Sequence, residues 1–88
     1  KKTKTIKQEI SLNEGDESII ISDLLKKYRT KKSKEKNVPP YVIYADRTVI
    51  ELANHKPNLI ENLYNIYGLG KSKIEEYGED IIEIITKQ

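Results

Sequence analysis

Short runs of apolar residues at helical spacing, separated by prolines and glycines, constrain the fold of this 88-residue chain most. The first run places five side chains on one helix face, at i, i+1, i+4, i+5 and i+8: Ile20, Ile21, Leu24, Leu25 and Tyr28. This helix is predicted to begin between residues 19 and 22 and to fade through residues 31–37. Pro39 and Pro40 should end it, because the residue before a proline avoids the α-helical backbone region.

Turn signals divide the rest of the chain into further short helices. Asp46 is predicted to cap one helix, Gly68 and Gly70 to form a tight turn, and Gly78 to break the last helical stretch in two. The predicted helices cover residues 47–56, 59–66, 71–77 and 79–86. We therefore expect an all-α fold, a compact bundle of about five short helices over residues 19–88. Residues 1–18 should form a linker or a partly disordered tail.

The charge of the chain is small in total but uneven along it. Residues 1–36 carry eleven basic against six acidic side chains, and residues 37–88 carry five against eight, which gives the net +2. A basic end favours a polyanionic partner, although solvated surface lysines explain the same pattern equally well. No cysteine is present, which excludes disulfides and a thiol nucleophile, and no apolar run is long enough to span a bilayer. The start at Lys1 suggests a fragment of a longer protein.

The sequence offers little for catalysis. His55 lies near a predicted helix end, where the helix dipole favours it, and a structural or surface role is expected. Five carboxylates in the last helical stretch are predicted to form a solvated face rather than a metal site: Glu75, Glu76, Glu79, Asp80 and Glu83. The glycine spacing does not fit a nucleotide-hydrolase phosphate loop. We therefore predict no catalytic, cofactor or metal site.

A glycine turn between two predicted helices is the first candidate for nucleic-acid binding. Gly68 and Gly70 let the backbone approach a ligand, and Lys71 and Lys73 open the next helix, where free N–H groups suit a phosphate. A helix–hairpin–helix motif contacts DNA backbones in this way without reading sequence. The alternative is a tight turn that only packs.

A basic helix followed by a tyrosine is the second candidate. The helix carries seven cations that can follow phosphates: Lys26, Lys27, Arg29, Lys31, Lys32, Lys34 and Lys36. Tyr41 comes next and can stack on an unpaired base. The alternative is that Tyr41 and Tyr44 are both core residues. We expect them to differ, with Tyr44 facing the core and Tyr41 lying at the surface beside the lysines.

Two segments together resemble a known family. "VPPYVIYAD" at 38–46 and "GLGKSKIEEYG" at 68–78, preceded by the helix with Leu25, Tyr28 and Arg29, are similar to the HRDC domain. This domain is a small helical module of RecQ-type DNA helicases that also occurs in ribonuclease D. The resemblance covers about residues 20–86, and it departs from the family at Lys32 and Ser33, where relatives usually carry an apolar pair.

The resemblance implies a five-helix bundle-like fold with a helix–hairpin–helix-like segment, in an accessory rather than catalytic role. The implied partners are single-stranded or branched DNA, bound weakly, and the helicase core of the parent chain, with the domain a monomer in the bacterial cytoplasm. Tyr41 would be the stacking contact, and the basic residues would contact phosphates. Two alternatives stay open: a docking module without appreciable DNA binding, and the C-terminal domain of a ribonuclease D-type exonuclease.

Overall fold

The computed structural model describes residues 16–87, which fold as helices joined by short connections. The helices are α1 (Asp16–Lys36), α2 (Pro40–Ile43), α3 (Asp46–His55), a 3-10 helix (Ile60–Asn65) and α4 (Lys71–Thr86). No strand occurs among these residues, so the predicted all-α fold is confirmed. The predicted linker or tail at 1–18 lies almost entirely outside the described residues.

Helix α1 is longer and more regular than predicted. It begins at Asp16 and continues to Lys36, so both the later onset and the fading end were wrong. Asn37 stops it by adopting a left-handed conformation, with φ 61°. The backbone N–H groups of Asn37 and Val38 then donate to the carbonyls of Lys34 and Ser33, at 3.3 and 3.0 Å. This is the Schellman arrangement, which satisfies carbonyls left free at a helix end, so the stop precedes the prolines.

The two prolines form a corner between α1 and α3, as predicted. Pro39 precedes α2 with φ −63°, and Pro40 is the first residue of that four-residue helix. Asp46 does not cap α3: Ala45 holds the capping position without a side-chain hydrogen bond, and Asp46 is the first helical residue. The carboxylate of Asp46 instead pairs with Arg29 of α1, at 2.9 Å. We call residues 38–46 the tyrosine corner.

Two predictions for the C-terminal half were wrong. Residues 60–65 form a 3-10 helix rather than an α-helix, and α4 runs unbroken through Gly78. Gly78 is buried, and a Cβ placed on it would lie 3.2 Å from Ile60 and 3.3 Å from Leu63. The missing side chain therefore lets the 3-10 helix approach α4 closely, and this packing offsets the low helix propensity of glycine.

The core lies where α1, α3, the 3-10 helix and α4 meet. Ile21 and Leu25 supply the buried face of α1, while Ile20, predicted on the same face, is exposed. The other buried apolar residues are Ile43, Tyr44, Val49, Leu52, Ala53, Leu63, Ile66, Leu69, Ile74, Tyr77, Ile81 and Ile85.

Candidate nucleic-acid interface

The two tyrosines of the corner have opposite environments, as predicted. Tyr44 is fully buried, and its hydroxyl donates to the carbonyl of Leu25 at 2.6 Å. Burial raises the pKa of the Tyr44 hydroxyl above its ordinary value. Tyr41, three residues earlier in α2, is 71% exposed. The buried tyrosine thus fixes the corner to α1, while the other ring faces solvent.

Arg29 belongs to the support of the corner. Its side chain is only 13% exposed. One terminal nitrogen donates to the carbonyl of Tyr44 at 3.0 Å, and the other pairs with Asp46 at 2.9 Å. The guanidinium also lies 6.0 Å from the centre of the Tyr44 ring. These contacts occupy both ends of the guanidinium, so Arg29 holds the corner in place and has little left to offer a phosphate.

The lysines of α1 divide into two groups. Lys32 lies 3.3 Å from Glu35 and 5.5 Å from the Tyr28 ring centre, and Lys36 pairs with Glu76 and lies over the ring of Tyr77. The hydrogen bond to Glu76 raises the pKa of Lys36. Four other lysines are exposed and have no ion-pair partner among residues 16–87. We call these four the lysine stripe: Lys26, Lys27, Lys31 and Lys34.

The glycine turn has one glycine that the fold requires and one that it does not. Gly68 has φ +81°, and a Cβ on it would lie 2.5 Å from the hydroxyl oxygen of Thr48. Gly70 precedes α4 with φ −89°, and a Cβ there would meet nothing within 4 Å. Lys71 is exposed and Lys73 is half-buried, both in the first turn of α4. We call residues 68–73 the hairpin. The hairpin packs closely against Thr48 at Gly68, whereas at Gly70 it has room for a side chain.

Two of the exposed carboxylates of α4 also contact α1. Asp80 accepts a hydrogen bond from the Tyr28 hydroxyl at 2.7 Å, and Glu76 accepts one from Lys36. Both contacts join α4 to the inner side of α1. Among residues 16–87 no group of three or more His, Asp or Glu side chains is placed to hold a metal ion. None of the helices in this part of the chain has the length and apolar character needed to cross a membrane.

The structure brings together a pair that the sequence analysis missed. Arg47 lies over the ring of Tyr67, with the guanidinium carbon 4.2 Å from the ring centre. Glu51 accepts a hydrogen bond from each of them. The partners are twenty residues apart, so no local pattern signals the contact; the only sequence clue is an aromatic residue directly before Gly68.

His55 is the last residue of α3 and is exposed, at the rim of an open cavity of about 230 Å³. Pro57, Asn62, Asn65 and Ile66 complete the lining. The position of His55 at a helix C-terminus agrees with the structural or surface role predicted for it.

Comparison with known proteins identifies relatives of this arrangement. The chain is 37% identical over 70 residues to the ATP-dependent DNA helicase UvrD2 of Mycobacterium tuberculosis, covering 80% of this chain and 10% of that protein. It is 29% identical over 75 residues to the ATP-dependent DNA helicase RecQ of Bacillus subtilis, covering 85% and 12%. The chain thus spans about a tenth of the length of these relatives.

A solved structure and a family comparison agree. The fold matches the D. radiodurans RecQ HRDC domain 3 with a TM-score of 0.76 and 30% identity, over 80% of this chain and 92% of that one. The family model described as HRDC domain matches residues 21–85, most of the chain. The chain therefore belongs to the HRDC domain family.

Proposed function

We propose that this chain is a non-catalytic accessory module of an ATP-dependent DNA helicase, and that it binds single-stranded or branched DNA to influence which substrates the motor handles. The relatives named above are DNA helicases in which the matching segment is a small part. On this proposal the domain acts as a monomer tethered to the helicase core, in the bacterial cytoplasm. The ribonuclease D alternative can be tested directly on the sequence of the full-length protein. Helicase motor domains upstream of this segment would support the proposal, and an exonuclease domain there would support the alternative.

The observation that carries the proposal is the exposed ring of Tyr41 on a fixed corner beside α1. A ring on a rigid support loses little conformational freedom when it stacks on a base, and such stacking contributes about 1–3 kcal/mol. Two contacts between α1 and the corner supply the rigidity: the Tyr44 hydroxyl donates to the carbonyl of Leu25, and Arg29 donates to the carbonyl of Tyr44. The lysine stripe supplies cations that are free to follow a phosphate backbone.

The proposed contact surface is narrower than the set predicted from the sequence. Arg29, Lys32 and Lys36 have partners within the fold and are proposed to support the surface rather than to form it. Gly68 is proposed to shape the hairpin. The proposed contacts are Lys26, Lys27, Lys31, Lys34, Tyr41, Gly70, Lys71 and Lys73.

Titration of the domain into labelled single-stranded DNA at low salt tests this proposal. Tyr41→Ala should weaken binding by about 5- to 150-fold, the equivalent of one lost stacking contact. Tyr64→Ala is the matched control, because Tyr64 is also exposed, at 53%, but lies on the 3-10 helix. Circular dichroism should show both variants folded.

The salt dependence gives a second measurement. If the six proposed lysine contacts each neutralise a phosphate, log affinity should fall with log salt with a slope of about −4, or roughly 300-fold between 50 and 200 mM. Absence of binding by the wild-type domain, or equal effects of Tyr41→Ala and Tyr64→Ala, would contradict the proposal.

A second candidate function is docking onto the helicase core or another protein. Leu59, Ile60 and Tyr64 form an exposed apolar stretch, 52%, 38% and 53% exposed, and such surfaces commonly bind proteins. The acidic face of α4, from Glu75 to Glu83, is a further candidate contact. A domain that only docks should give no NMR shift changes along residues 26–44 when DNA is added. Addition of the parent motor region should instead perturb residues 59–64.

A further inference from the structure

We propose that the stacked pair of Arg47 and Tyr67 is a second contact for single-stranded nucleic acid, so that one strand runs from the tyrosine corner to the hairpin. This inference rests on the proposed function and deepens it. Arg47 directly follows the corner, and Tyr67 directly precedes Gly68. Because the two side chains touch at 4.2 Å, they join the two candidate segments into one surface.

The pair is held in place from behind. Arg47 Nε donates to one carboxylate oxygen of Glu51 at 3.2 Å, and the backbone N–H of Tyr67 donates to the other at 2.9 Å. The Glu51 side chain is only 13% exposed. The Thr48 hydroxyl donates to the carbonyl of Tyr67 at 2.7 Å. These bonds fix both members before any ligand arrives, so little freedom is lost on binding.

The groups that remain free are those a phosphodiester with an unpaired base would use. Neither terminal nitrogen of Arg47 has a hydrogen-bond partner among residues 16–87. These two nitrogens form the planar fork that binds phosphate oxygens in pairs, and Glu51 occupies only the Nε edge. The Arg47 side chain is 52% exposed and Tyr67 is 50% exposed. The uncovered parts of the guanidinium and the ring can stack on a base.

The spacing of the contacts fits a strand of several nucleotides. Arg47 lies six positions after Tyr41, a path of at most about 22 Å, and Lys71 lies four positions after Tyr67, at most about 14 Å. Single-strand-binding domains of comparable size cover roughly 4–16 nucleotides. A surface with Tyr41 at one end, Arg47 and Tyr67 between, and Lys71 at the other matches that range.

The test compares Arg47→Gln with Lys87→Gln in anisotropy titrations of oligothymidylate of about 16 nucleotides at low salt. Both substitutions remove a cation that pairs with a glutamate four residues away in the sequence, but Lys87 directly follows the C-terminal end of α4. Arg47→Gln should weaken binding about 5- to 20-fold and reduce the salt slope by about 0.7, while Lys87→Gln should change neither. Arg47→Lys should keep the slope and lose part of the affinity, because lysine lacks the fork.

The outcomes separate this inference from the function on which it rests. If the wild-type domain binds and Tyr41→Ala weakens binding, but Arg47→Gln behaves like Lys87→Gln, the second contact is refuted and the proposed function stands. If the wild-type domain does not bind, both are refuted. Tyr67→Leu supplies an independent check, since it keeps an apolar side chain but removes the ring; it should weaken binding in the same direction as Arg47→Gln.

Discussion

Replacing the two glycines of the hairpin by alanine should have very different consequences for stability, a large loss at Gly68 and almost no change at Gly70. At Gly68 the backbone has φ +81°, a conformation that costs a residue with a Cβ about 1–2 kcal/mol. The new Cβ would also lie 2.5 Å from the hydroxyl oxygen of Thr48. Thr48 must then move, which breaks its hydrogen bond to the carbonyl of Tyr67 at a cost of about 1 kcal/mol, with further strain in the packing.

These terms sum to roughly 2–4 kcal/mol, and the reduced freedom of the unfolded chain offsets about 0.4–1 kcal/mol of them. Gly68→Ala should therefore lower the free energy of unfolding by about 2–3 kcal/mol. In a domain of this size that lowers Tm by about 10–20 °C. Gly70→Ala meets no neighbour and keeps an ordinary φ of −89°, so its effect should stay within about 0.5 kcal/mol.

Thermal and urea unfolding of both variants, followed by circular dichroism, measures the difference. Making Gly68→Ala in a Thr48→Ala background isolates the overlap between the new Cβ and the Thr48 hydroxyl. In that background Gly68→Ala should cost only the strain of the left-handed backbone conformation, about 1–2 kcal/mol. Equal Tm values for Gly68→Ala and Gly70→Ala would refute the assignment of distinct roles to the two glycines. An unchanged cost in the Thr48→Ala background would refute the overlap.

Two other predictions concern the support of the tyrosine corner. Arg29→Lys should lower the free energy of unfolding, measured by urea unfolding, by about 1–2 kcal/mol, because one ammonium group cannot contact both the Tyr44 carbonyl and Asp46. A variant that lost DNA affinity without losing stability would contradict this role. Burial raises the pKa of Tyr28 and Tyr44, so the folded state keeps protons that the unfolded state loses above its ordinary pKa of about 10. The contribution of these two hydroxyls to stability should be fully present below that pH and should fall as the pH rises above it, and both hydroxyls should ionise only when the domain unfolds. An ultraviolet titration in which all six tyrosines ionise while the helices persist would contradict this prediction.

Local features of the sequence predicted the fold class and the different environments of Tyr41 and Tyr44. Helical spacing and the proline corner are short-range signals, and they determine which side of the corner faces inward. Local sequence patterns do not predict features that depend on contacts between distant residues. Gly78 reads as a helix break from its own propensity, but its role depends on side chains of Ile60 and Leu63 that reach it only in the folded state.

The candidate interface shows the same limit. Seven cations of α1 look equivalent in the sequence, but Arg29 and Lys36 find partners 15 or more residues away. The contact of Arg47 with Tyr67 spans twenty residues and also left no local pattern. Spacing along one helix predicts which charges share a face, whereas tertiary packing decides which charges remain free for a ligand.

The small net charge is therefore a poor guide to the field that a nucleic acid would meet. The acidic second half of the chain folds against the inner side of α1, where Glu76 and Asp80 contact Lys36 and Tyr28. The lysine stripe is exposed, and at about 100° per residue its four lysines lie on the remaining sides of α1, away from the side that carries Tyr28, Lys32 and Lys36. A helix is about 10–12 Å across with its side chains, and the Debye length at 0.1 M salt is about 10 Å. A strand on the outer side of α1 would thus be largely screened from the α4 carboxylates and attracted by cations without internal partners, while a strand that ran past the first turn of α4, along Glu75–Glu83, would be repelled. The uneven charge along the sequence therefore leads, after folding, to a nucleic-acid strand being favoured on the outer side of α1.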